Sequence, residues 1–141
     1  MKILFTLDDG ATAPTRAHDT DAGLDLYSKR KAIVLPYSRQ LVPTGVHVAI
    51  PPGYVGMVCP RSGLAHNYGL TVLNAPGIID AGYTGEIKVN LHNAGPGFSG
   101  VNAGERIAQL VITPIANAQL VQVDALGATE RGENGHGSTG Q

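Results

Sequence analysis

The stretch Asn74-Ala75-Pro76-Gly77-Ile78-Ile79-Asp80-Ala81-Gly82-Tyr83-Thr84-Gly85-Glu86-Ile87-Lys88-Val89-Asn90-Leu91-His92-Asn93 reads as an irregular arm, a turn and then a strand. Pro76-Gly77 ends whatever precedes it, because proline fixes its own φ and glycine permits positive φ. Gly82 and Gly85 bracket Tyr83, so the backbone can fold sharply there. From Glu86 onward the residues alternate. Ile87, Val89 and Leu91 fall on one face, with Lys88, Asn90 and His92 on the other, the period of a half-buried strand. Asp80 lies between two isoleucines and a glycine turn. A carboxylate there is a candidate general base, and an ordinary turn-forming aspartate is the structural alternative.

Outward from this stretch the chain keeps the same character. Its 141 residues fit one domain, and 19 glycines with 9 prolines point to many short strands joined by tight turns. Strands are expected over 2–7, 24–28, 32–35, 40–42, 45–50, 54–59, 70–73, 86–93, 98–101, 105–112 and 120–123. No apolar run approaches the ~20 residues of a membrane-crossing helix. The first nine residues meet acids too soon for a secretory leader. Net charge is −1 and no basic stripe stands out, which argues against a general nucleic-acid binder. The single cysteine, Cys59, excludes an internal disulfide framework, making a cytoplasmic setting the expectation and a small buried apolar role the expectation for Cys59 itself.

Several short stretches carry polar groups in patterns that suit phosphate chemistry. In Asp21-Ala22-Gly23-Leu24-Asp25-Leu26-Tyr27-Ser28, Asp25 points opposite the leucines, as a solvent-facing residue or a metal-side carboxylate. Pro60-Arg61-Ser62-Gly63-Leu64-Ala65 offers a Ser-Gly helix start beside an arginine that can fork onto phosphate oxygens. No Gly-x-Ser-x-Gly elbow makes Ser62 a nucleophile. Gln109 interrupts an apolar run, and a buried amide needs partners. From Ala125 the chain cannot bury a core, so residues 1–124 read as a folded β domain and 125–141 as a tail. That tail still holds Arg131, His136 and a Gly-x-Gly-Ser-Thr-Gly run able to form an anion-binding nest. The other histidines show no zinc-ligand spacing, and no P-loop or dinucleotide fingerprint occurs.

Five blocks, 21–28, 60–65, 74–93, 104–112 and 131–140, stand in the order and near the spacing of one family. The chain resembles the homotrimeric dUTPases, and its wording is closest to actinobacterial members or their phages. It departs from them in His136, where most members carry Phe or Tyr, and in a short segment before Arg131. The resemblance implies an all-β, jelly-roll-like β-barrel subunit, three of which assemble with sites between subunits and the tail closing over a neighbour's site. It implies cleavage of dUTP to dUMP and pyrophosphate with Mg²⁺. Asp80 would activate the attacking water and Tyr83 would pack under the deoxyribose. Asn74 and the backbone around Ile78, Ile79 and Lys88 would read uracil, with Gly77 beside them as a further substrate-binding residue. Arg61, Ser62, Gly63 and Gln109 would hold phosphates, and Asp25 would touch the metal through water. Arg131, Gly137, Ser138 and Thr139 would clamp the outer phosphates, with His136 over the base. A dCTP deaminase, which would need a further acid near the base, and a non-catalytic nucleotide-binding protein are the competing readings.

Overall fold

The computed structural model describes residues 1–134. In chain order the elements are β1 (Leu4–Leu7), β2 (Gly23–Tyr27), β3 (Ala32–Val34), β4 (Arg39–Ala49), β5 (Tyr54–Cys59), α1 (Ser62–Tyr68), β6 (Leu70–Val72), β7 (Gly77–Ile79), β8 (Ile87–Asn93), β9 (Ser99–Val101) and β10 (Arg106–Pro114). They form two four-stranded sheets, β1-β4-β8-β6 and β2-β10-β5-β7, and a β3-β9 ribbon. Every pairing is antiparallel. This is the all-β, jelly-roll-like architecture expected, its core made by the inward faces of the sheets.

The alternation in β8 is realised as read. Ile87, Val89 and Leu91 are fully buried, facing a cluster that includes Val42, Val46, Leu26 and Leu110. Asn93 continues the inward row as a polar member. Its Nδ2 donates to the carbonyls of Val34 (3.0 Å) and Gly97 (2.8 Å), and its Oδ1 accepts from Gly95 N–H (2.9 Å). One buried amide thus ties β3, β8 and the following loop together, with its hydrogen-bonding groups satisfied.

The structure corrects three sequence-based element assignments and one burial expectation. Residues 40–42 and 45–50 belong to one strand, β4, whose pairing with β8 shifts register between Pro43 and Val46. Thr44 lets the chain continue through this bulge. Its buried hydroxyl donates to Ile87 C=O at 2.6 Å and accepts from Val46 N–H at 3.2 Å. Secondly, the arm after Pro76 is not wholly irregular, since β7 pairs with β5. Thirdly, Leu120–Val123 is not a strand; Leu120 is 97% exposed. An apolar stretch becomes a strand only against a partner, and this segment pairs with none among the described residues. Cys59, finally, is partly exposed rather than buried. Val58 takes the inward position of β5, so the pleat turns Cys59 outward.

Thr44→Val keeps the shape but removes both hydroxyl bonds inside the core. The variant should lose about 1–3 kcal/mol, the cost of leaving buried polar groups unpartnered. Urea unfolding measures this as a lower midpoint at constant slope. An unchanged midpoint would show that the bulge does not depend on Thr44.

Candidate active site

Most of the expected site residues among the described ones fall into two separate hollows. The first, about 340 Å³, is lined by Leu41, Ile78, Ile79, Asp80, Tyr83, Glu86 and Lys88. Its wall is the turn between β7 and β8. Tyr83 N–H donates to Asp80 C=O at 3.1 Å, closing a turn that Gly82 completes at φ +90°. The Tyr83 ring then folds back over Gly85, its hydroxyl donating to Glu86 C=O at 3.0 Å. A β-carbon on residue 85 would lie 2.6 Å from that hydroxyl, so the ring's position requires glycine there. The phenol face stays half exposed at the rim, fixed at both ends.

Two carboxylates line this hollow, and their surroundings differ. Glu86 Oε1 accepts from Gly45 N–H at 2.9 Å, and Oε2 sits 3.5 Å from Lys88 Nζ, so Glu86 is occupied in holding the turn to the β4 bulge. Asp80 is exposed at the rim and pairs with no cation among the described residues. Asn74 stands at the far end of β7, its amide nitrogen 3.2 Å from where a β-carbon on Gly77 would be. Neither Asn74 nor Gly77 lines the hollow itself.

The second hollow, about 330 Å³, is bounded by Ala17, Asp21, Ala22, Gly23, Asp25, Arg61, Ser62, Gly63, Arg106 and Gln109. Here β10 pairs with β2 on one side and β5 on the other, setting Asp25, Gln109 and Cys59 in one cross-strand row. Arg61 Nε lies 2.9 Å from Asp25 Oδ1, and Arg106 Nη1 lies 3.4 Å from Oδ2. Gln109 Nε2 donates to Pro60 C=O at 3.0 Å, fixing the loop that enters α1. Gly23 is needed beside it, since a β-carbon there would collide with Gln109 Oε1. Ser62 and Gly63 open α1 and are exposed, while Arg61 takes the cap position without a side-chain cap bond. Together these groups present two guanidinium groups and free hydroxyl and backbone donors to one space, a setting suited to phosphate oxygens.

No group of three or more His, Cys, Asp or Glu side chains able to hold a metal ion occurs among the described residues. Asp21 and Asp25 do line the second hollow, with Asp25 already gripped by two arginines. That donor set fits a hard cation that keeps most of its waters and arrives with phosphate oxygens, and it does not fit a caged ion.

The two hollows lie at opposite ends of β5. Gly56 faces Ile79, so Asp80 leaves the sheet at the Tyr54 end, whereas Arg61 follows Cys59 at the other. The five steps from Tyr54 to Cys59 cover roughly 17 Å at ~3.4 Å each. Arg131 reaches neither hollow. Its Nε donates to Asn134 C=O at 3.0 Å within an exposed turn. His136, Gly137, Ser138 and Thr139 lie outside the described residues. Arg106, Glu86 and Leu41 were missed in the sequence. Arg106 carried a readable signal, standing at the head of a strand whose third following residue, Gln109, breaks its apolar run.

A β-sandwich with one hollow whose arginines and free donors suit phosphate oxygens, and a separate carboxylate–tyrosine hollow, is an arrangement suited to a phosphate-bearing ligand. The dUTPase family model matches residues 9–140. A deoxyuridine 5'-triphosphate nucleotidohydrolase of Mycobacterium marinum is 53% identical over 140 residues, covering 95% of this chain and 91% of the relative. One from Corynebacterium efficiens is 50% identical, covering 98% and 77%. Among solved structures, the dUTPase of Staphylococcus bacteriophage 80alpha with dUPNHPP superposes with a TM-score of 0.93 at 34% identity, covering 99% of both chains. A mutant dUTPase of Staphylococcus aureus phage phi11, described with a structural Mg(II) ion, gives 0.83 at 31% identity over 89% of this chain and 98% of its own. The chain belongs to the dUTPase family. No helix among its described residues is long and apolar enough to cross a membrane.

Proposed function

We propose that this enzyme builds each active site from more than one copy of the chain, three copies closing around a threefold axis. The observation that carries this reading is the separation of the two hollows. A carboxylate and a phosphate grip at opposite ends of β5 cannot work together on one triphosphate within one chain. Bringing the Asp80 hollow of one copy against the Arg61 hollow of the next supplies both halves. Closed rotational symmetry then repeats the junction around the ring.

The reaction is hydrolysis of dUTP to dUMP and pyrophosphate. In the proposed site Asp80 takes a proton from water as the water oxygen bonds to phosphorus. The anhydride P–O bond breaks and pyrophosphate leaves. Asp80 suits the role because Glu86, its neighbour in the hollow, is committed to Gly45 and Lys88. Asn74 and the backbone around Gly77, Ile78, Ile79 and Lys88 contact uracil. Arg61, Ser62, Gly63 and Gln109 hold phosphates, helped by Arg106. Mg²⁺ would be held through water by Asp25 and would supply charge neutralisation for the triphosphate. Arg131, Gly137, Ser138 and Thr139 close on the outer phosphates, and His136 covers the base. Pyrophosphate release measured across dUTP, UTP, dCTP and dTTP tests the reading. Release from dUTP alone is expected, without ammonia from dCTP; a deaminated product would replace it with the deaminase reading.

Tyr83 is the proposed steric gate against a 2′-hydroxyl, because its ring is pinned by its own hydroxyl and by Gly85. Tyr83→Ala should lower the ratio of kcat/KM for dUTP over UTP by about tenfold or more. An unchanged ratio refutes the gate.

A further inference from the structure

Opposite the Tyr83 turn, on β4, His47 has an acceptor at each ring nitrogen. Nδ1 lies 3.0 Å from the carbonyl oxygen of Thr84, and Nε2 lies 3.2 Å from Asp8 Oδ1. A carbonyl and a carboxylate can only accept. A neutral imidazole carries one N–H and can satisfy one of them; the imidazolium carries two and satisfies both. Thr84 directly follows Tyr83, so the Nδ1 bond anchors the backbone of the proposed gate. Asp8 is in turn fixed from two further directions. Its Oδ2 meets Lys29 Nζ at 3.2 Å, and its backbone N–H donates to Gly45 C=O at 2.9 Å. Gly45 N–H is the same donor that holds Glu86 at the other side of the turn.

We propose that His47 is a positioning residue: as an imidazolium it clamps the Thr84 carbonyl to Asp8 and so fixes the Tyr83 ring for sugar discrimination. The inference rests on the gate reading of Tyr83. The charged groups facing the imidazole from the packed elements are Asp8 before β2, Lys29 after it, and Glu86 before β8, the last paired with Lys88. Their balance favours the cation. The Thr84 carbonyl foremost, then Asp8 and Glu86, raise the His47 pKa from the ordinary histidine value against the opposing effect of partial burial. Lys29 and His47 together hold the Asp8 carboxyl below the usual range. For a raised histidine the clamp is complete below the ordinary value near 6.5 and is lost as pH rises through the higher folded-state value.

The readout is the ratio of kcat/KM for dUTP over UTP as a function of pH. Ionisations of the triphosphate and of uracil are common to both substrates and cancel in the ratio. In the wild type the ratio should fall on the alkaline side, by no more than the roughly tenfold loss expected on removing the Tyr83 ring itself. His47→Gln carries its N–H donors on a single nitrogen, which cannot span both acceptors, and does not titrate, so its ratio should be low and independent of pH. Asp8→Asn keeps an acceptor without the charge, so the fall should begin at lower pH. Melting temperatures of both variants separate lost folding from lost positioning. In parallel, NMR titration of the His47 ring should show the backbone amides of Tyr83 and Thr84 moving with the same midpoint. That midpoint is read without any substrate. A flat wild-type ratio, or the same pH dependence in His47→Gln, overturns the proposal. If the amides follow His47 while Tyr83→Ala leaves the ratio unchanged, the clamp stands and the gate reading fails, and with it the proposed role in discrimination.

Discussion

Asp80→Asn should abolish turnover while leaving dUTP bound. Asparagine keeps the size and the hydrogen-bonding reach of aspartate but cannot accept the proton from water. A positioned general base contributes typically ~10²–10⁴-fold, and the loss should appear in kcat with little change in KM. Glu86→Gln is the informative control, because Glu86 lines the same hollow. Its carboxylate already accepts from Gly45 N–H, and glutamine can retain that bond. The substitution should therefore lower stability more than kcat. Pyrophosphate release measures the rates, and calorimetric titration with a non-hydrolysable dUTP analogue measures binding. Wild-type kcat in Asp80→Asn, or a larger kcat loss in Glu86→Gln, would transfer the base to another group.

A second large effect should come from mixing two inactive chains. One is Asp80→Asn with its tail; the other ends at Glu130 and keeps Asp80. Each alone should be trimeric by size exclusion and inactive. With random assembly from equal amounts, each donor of a shared site is the right chain half the time. About a quarter of sites should then hold one good copy of each element. Activity would rise from none to roughly that fraction, provided the chains are co-expressed or refolded together. No dUTP hydrolysis in verified mixed trimers would return the tail to its own subunit and defeat the shared-site model.

The fold was legible where side-chain period and burial agree. Ile87, Val89 and Leu91 alternate in sequence and are buried in space. It was illegible where a polar side chain replaces a backbone rule. Pro43-Thr44-Gly45 has the look of a break, yet β4 runs through it because the Thr44 hydroxyl bonds groups that the bulge displaces. Leu120–Val123 shows the opposite failure. Its residues suit a strand, but strand formation is a property of a pair, and no local pattern reports whether the partner is present. At the site, Asp25 was readable because alternation sends it away from the leucines. That Arg61 and Arg106 both converge on it depends on β10 lying beside β2, a contact 81 residues apart in the chain for Arg106. Glu86 stood in plain view within the arm, but only its bonds to Gly45 and Lys88 separate its role from that of Asp80.

The row formed by Asp25, Gln109 and Cys59 has a mechanical consequence. Two adjacent strand spacings of ~4.8 Å set the distance from the Asp25 position to the loop entered at Pro60, roughly 10 Å. Because β10 is paired along both edges, that distance cannot shrink without breaking ladders on two sides. The sheet is thus a gauge of fixed length rather than a jaw. A ligand with a shorter phosphate chain cannot draw the two backbones together over itself; only side chains can adjust, as Arg61 does in reaching Asp25 at 2.9 Å. Discrimination by chain length therefore falls to the parts mounted on the sheet, the arginine side chains and the residues beyond β10, whose reach can differ between relatives while the floor beneath them stays the same.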